Sequence, residues 1–89
     1  MDWKDALNNF KNFLKIERNL SKNTIQSYLF DVKKLISFLD ENKIKVKPKD
    51  LSEIKAREFI YKISKHVKSK TQARIISGIR RFFDYLIIE

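Results

Sequence analysis

Lys70, Arg74, Ser77 and Arg81 recur at i, i+4, i+7 and i+11. At 100° per residue they fall in a helical sector about 60° wide. Three cations and a hydroxyl along one edge are suited to a polyanion. Lysine and serine fit a sugar–phosphate backbone, and arginine can fork onto phosphate or a guanine edge. The segment opens on Ser69-Lys70-Thr71-Gln72, and an earlier one on Ser21-Lys22-Asn23-Thr24. Each sets a capping hydroxyl beside a lysine at a helix start, where unpaired N–H groups and the positive dipole end favour phosphate. Behind the first start come Gln26, Ser27, Lys33 and Lys34. Its amides, Asn23 and Gln26, are of the type that reads adenine. A solvated polar face would look similar. What favours a polyanion is that the stripe from Lys70 to Arg81 meets no acid on its own helix before Asp84.

Four predicted helices position these side chains. The first covers residues 2–18, with Trp3, Ala6, Leu7, Phe10, Phe13, Leu14 and Ile16 recurring at three and four. Asn19-Leu20 breaks it, and Ser21 caps a second helix reaching Glu41. Its core stripe is Ile25, Tyr28, Leu29, Val32, Leu35, Ile36 and Leu39. Phe30 and Phe38 project off that stripe; cover is expected for Phe38, while Phe30 is left open. Residues 42–50, NKIKVKPKD, read as an extended connection. A third helix is expected over residues 55–66, with Phe59, Ile60 and Ile63 inward and Leu51 and Ile54 packing from its approach. Ser69 and Gln72 have the spacing of a capping box for a fourth. Its apolar face is Ile75, Ile76, Ile79, Phe82, Phe83, Leu86 and Ile87. The fold class is therefore all-α, a compact four-helix bundle in a single domain over residues 1–89.

Composition agrees. One glycine and one proline in 89 residues favour long helices over turns and sheets. A net charge of +9 points to a nucleic acid or an anionic surface. The positive side chains concentrate between Lys43 and Lys70, where ten face only Asp50, Glu53 and Glu58. The chain has no cysteine, which excludes disulfides and thiolate metal sites. No apolar run is long enough to span a bilayer and no signal peptide is visible, so an intracellular, cytoplasmic setting is expected. His66, the single histidine, has no nucleophile or metal-ligand partner in the pattern, and no glycine-rich loop cradles a nucleotide. No catalytic residue, metal or cofactor is expected.

Two blocks carry a resemblance. The first is Phe13-Leu14 with Glu17-Arg18-Asn19-Leu20-Ser21-Lys22-Asn23-Thr24, then Tyr28 and Asp31-Val32. The second is Ser69-Lys70-Thr71-Gln72-Ala73-Arg74-Ile75-Ile76-Ser77-Gly78-Ile79-Arg80, then Phe82-Phe83-Asp84-Tyr85-Leu86. In these the chain resembles the N-terminal, SAM-like core-binding domain of tyrosine recombinases and phage integrases, most of all the Xer type. The resemblance implies a four-helix clamp gripping duplex DNA at a recombination half-site, with the second and fourth helices toward the major groove. Carried over residue by residue, the implied DNA contacts are Ser21, Lys22, Asn23, Thr24 and Ser27, and Lys70, Thr71, Arg74, Ser77 and Arg81. The family often places basic residues just after the tyrosine of the second helix, where this chain has Leu29 and Phe30. Tyr85 matches a packing position, not the family's nucleophile. The catalytic domain is expected to lie outside this sequence, so the chain alone is not an enzyme. Other recombinase protomers are implied partners in the full-length assembly, with a monomer expected in isolation and no membrane partner. The rival reading is a helical protein-interaction adaptor, kept soluble by its charge and docking through an apolar groove at Phe30.

Overall fold

The computed structural model describes residues 2–16 and 19–88. Four α-helices and one short 3-10 turn follow in the order α1 (Trp3–Ile16), α2 (Lys22–Glu41), the turn Pro48–Asp50, α3 (Glu53–Ser64) and α4 (Ser69–Ile88). The described residues form the all-α four-helix bundle expected from the periodicity. Glu17 and Arg18, at the end of the first predicted helix, lie outside them.

The helix starts have identifiable causes. Asp2 accepts from the Asp5 N–H at 2.8 Å and begins α1. Ser21 is the N-cap of α2, its hydroxyl accepting from the Thr24 N–H at 3.2 Å. Ser52 does the same for Lys55, also at 3.2 Å, so α3 begins two residues before the expected position. At α4 the expected capping box is not formed. The first N–H bonded back is that of Gln72, to the Lys68 carbonyl at 2.9 Å, which places Ser69 inside the first turn.

The connection over residues 42–50 is more structured than an extended linker. The Ile44 N–H donates to the Leu39 carbonyl at 2.8 Å and the Lys43 N–H to that of Asp40 at 3.1 Å. This pair of bonds is a Schellman close, and it holds Lys43 in the left-handed region at φ 56°. The Trp3 indole then donates to the Val46 carbonyl at 2.8 Å, pinning the connection to α1. Pro48 is buried at the head of the turn that leads into α3.

The core joins all four helices. Phe10 packs edge-on against Phe82, with centroids 5.2 Å apart, and lies 5.7 Å from Tyr85; Trp3 stacks on Phe82 at 5.9 Å. These rings seal α1 against α4. Phe38 is buried against Phe59, which ties α2 to α3. Tyr85 is fully buried, in keeping with a packing role. Three residues expected at the core are instead exposed: Ile16 at 77%, Ile54 at 69% and Ile87 at 83%. Each lies at the edge of an apolar stripe near a helix end, where no neighbouring helix reaches over it.

Candidate nucleic-acid interface

The most extensive helix–helix contact is between α2 and α4, and the two candidate segments meet there. Its centre is polar. Asp31 has no exposed surface, and Arg74 Nη1 donates to both its carboxylate oxygens at 3.0 Å. Beside them Gly78 lets the helices close: a Cβ there would stand 2.8 Å from Asp31 Oδ2 and 3.1 Å from Tyr28 Cδ1. Burial pushes the Asp31 carboxyl above its ordinary range, and the Arg74 guanidinium pulls it back.

This contact fixes how the remaining candidates are arranged. On α2, Asp31 and Tyr28 turn toward α4, and Ile25, Val32 and Leu39 turn toward the core. At 100° per residue, Asn23, Ser27, Phe30 and Lys34 then fall on the solvent side of the seam. On α4, Arg74 and Gly78 turn toward α2 while Ile75, Ile79 and Phe82 are buried. Lys70, Ser77 and Arg81 therefore project to that same side. All three are exposed, as are Ser21, Lys22 and Asn23; Thr24, Ser27 and Thr71 are half-buried. The fold thus brings the two sequence blocks together as one surface flanking a buried ion pair.

The two helix starts are not equivalent. At α2 the Ser21 hydroxyl is engaged twice, accepting from the Thr24 N–H and donating to Thr24 Oγ1 at 2.9 Å. The groups left to meet an anion are the N–H groups of Lys22 and Asn23, ahead of the helical ladder, and the Thr24 hydroxyl proton. At α4 the N–H groups of Ser69, Lys70 and Thr71 precede the first bonded residue, and among the described residues no hydrogen bond engages the Ser69 hydroxyl.

One expectation needs correcting. The stripe from Lys70 to Arg81 meets no acid on its own helix before Asp84, but Asp31 reaches it from α2. Arg74 is therefore not a free cation; one of its nitrogens is committed to Asp31, and its side chain remains 39% exposed. Lys70 and Arg81 have no acidic partner among the described residues. Sequence periodicity missed Asp31 because it lies at the border of the α2 core stripe. A signal did exist: the chain's only glycine falls in mid-helix, where it costs about 1 kcal/mol against alanine and so marks a close approach.

An all-α bundle with a basic, hydroxyl-rich seam between its second and fourth helices defines a class of small helical modules with the charge pattern of nucleic-acid binders. The chain belongs to the family described as phage integrase, N-terminal SAM-like domain, which matches residues 7–89. Its relatives include a tyrosine recombinase of Pseudothermotoga lettingae, 42% identical over 83 residues, covering 90% of this chain and 28% of that protein. Tyrosine recombinase XerD of Chlorobaculum tepidum is 36% identical over 88 residues, covering 98% of this chain and 28% of that protein. Tyrosine recombinase XerC of Staphylococcus aureus is 35% identical over 77 residues, 85% of this chain and 25% of that protein. The chain thus spans little more than a quarter of the length of these curated relatives. No significant match to a solved structure was found. No helix among the described residues is long and apolar enough to cross a membrane, and no group of three or more His, Cys, Asp or Glu side chains among them could hold a metal.

Proposed function

We propose that the solvent side of the α2–α4 seam binds duplex DNA, as the N-terminal clamp of a site-specific tyrosine recombinase. The observation that carries this reading is the seam itself. Lys22 and Lys34 on α2 and Lys70 and Arg81 on α4 are accessible to solvent, and the one buried acid between these two helices is already paired with Arg74. Lys70, Lys22 and the hydroxyls of Thr24, Ser27, Thr71 and Ser77 suit phosphate oxygens; Asn23 and Arg81 suit base edges. Arg74 contributes through the donors that Asp31 leaves unused. In a full-length parent the clamp would hold a half-site while a catalytic domain cuts and rejoins strands. Chromosome-dimer resolution and mobile-element integration are both roles such a parent could serve, and both place the protein with cytoplasmic DNA.

The test is fluorescence anisotropy of a labelled duplex over a salt series. With about five phosphates neutralised, log K should fall against log salt with a slope near −4 to −5. Lys70→Ala with Arg81→Ala should weaken binding and flatten that slope by about 2. Lys55→Ala with Arg57→Ala removes two cations that are ion-paired on α3 and should change little. Equal losses from both double variants would reduce the effect to net charge and overturn the assignment to the seam.

A further inference from the structure

We propose that the groove between α2 and α3 docks an acidic, amphipathic helical segment of a partner protein, at a site that adjoins the proposed DNA surface along α2 and shares Lys34 with it. The groove has a volume of about 700 Å³ and an aromatic wall. Phe38 and Phe59 stand 5.5 Å apart at its floor with Ile63, and Phe30 forms its lip with 56% of its surface exposed. Exposing a phenylalanine in mid-helix leaves apolar area in water that one more turn of helix would cover.

The charge around this apolar surface is one-sided. Lys33, Lys34, Lys62 and Lys65 rim the groove against the single acid Glu41. None of these lysines forms an ion pair among the described residues. Lys34 Nζ instead lies 4.8 Å from the centroid of the Phe30 ring, and Lys62 Nζ lies 5.7 Å from that of Phe38. Lysines folded over rings shield apolar surface while no partner is present. Swung outward, the same ammonium groups would meet carboxylates above the opened floor.

The dimensions suit a helix. Phe30, Lys34, Phe38 and Glu41 follow one another along α2 over eleven residue steps, roughly 16 Å, or about three turns. That length admits anchors at i, i+3 or i+4, and i+7, the spacing of helix-in-groove recognition. Duplex DNA could satisfy the lysines, but its outer surface is sugar and phosphate and its thymine methyls lie within the major groove, so it offers no continuous apolar face to fill the space between Phe30 and Phe59. A second copy of this chain would bring a further net charge of +9 to a basic rim. The occupant must carry both acids and apolar anchors.

The experiment pans a display library of random 16-residue peptides against the 89-residue chain. Enriched sequences should share two or three apolar positions at helical spacing, flanked by Asp and Glu. Phe30→Ser should weaken the best peptide at least tenfold, as should Lys62→Glu combined with Lys65→Glu. All are exposed positions, and circular dichroism should show the helices intact. No enrichment, or enriched peptides indifferent to Phe30→Ser, would overturn the proposal. So would acidic peptides without apolar anchors, which report charge alone. A duplex that displaces the peptide and is itself weakened tenfold by Phe30→Ser would assign the groove to DNA and also overturn it. The salt series at Lys70 and Arg81 is read independently of every one of these outcomes.

Discussion

Replacing Gly78 with alanine should destabilise the domain, although helix propensity alone points the other way. In an open helix interior the change stabilises by about 1 kcal/mol. Here the new methyl would lie 2.8 Å from Asp31 Oδ2, 3.1 Å from Tyr28 Cδ1 and 3.3 Å from Asp31 Cβ. The carboxylate cannot yield cheaply, because it is fully buried and both its oxygens are held by Arg74 at 3.0 Å. Either the helices part or the ion pair opens. Overpacking of this kind costs about 1–3 kcal/mol, and any opening of the pair adds to it. Set against the propensity gain, a net loss of about 1–2 kcal/mol is expected. Urea unfolding followed by circular dichroism would register it as a midpoint lower by about 1 M at unchanged m. The same substitution on an Asp31→Ala background should cost less, because the nearest oxygen is gone. A raised midpoint for Gly78→Ala alone would refute the close-approach argument.

Arg74→Ala should cost about 2 kcal/mol in the same assay. That is less than the ~3–5 of a fully buried pair, because Arg74 is partly solvated; a neutral result would mean that Asp31 finds another partner. The pH dependence follows from the upward shift of Asp31. Its folded form holds the proton more tightly than the unfolded chain, so its contribution is fully present below the free value of 3.8 and is lost as pH rises through the raised value. The stability of the unmodified chain relative to Asp31→Asn should therefore improve on acidification, and a decline would reverse the assignment. Lys43→Gly should stabilise by about 1 kcal/mol by relieving the left-handed backbone, as a higher thermal midpoint. Ser21→Ala should lose about 1 kcal/mol through its cap, while Ser69→Ala should stay within ~0.5, measured by thermal unfolding.

The helices were legible because their signal is local. The stripe of Ile25, Val32, Leu35 and Leu39 and that of Ile75, Ile79 and Phe82 have one period, and all seven side chains are buried. The surface of Lys70, Ser77 and Arg81 was legible for the same reason, being the complement of an apolar stripe. Pairing across helices was not. Nothing in the periodicity of α4 says that Asp31 lies against Arg74, 43 positions away. Start signals also mislead when two hydroxyls look alike: Ser21 caps its helix, whereas the α4 ladder begins from Lys68 and leaves Ser69 within the turn. Phe30 and Phe38 both project off the α2 stripe, and only the position of α3 decides that one is buried and the other exposed.

Trp3 gives this bundle an optical handle. It is the only tryptophan, its ring stacks on Phe82 of α4, and its N–H is bonded to the carbonyl of Val46 in the α2–α3 connection. One indole therefore touches the first helix, the last helix and the longest connection, and it belongs to neither the α2–α4 seam nor the α2–α3 groove. Its emission would follow closure of the whole domain while either surface is titrated, separating a variant that has lost a ligand from one that has lost its shape.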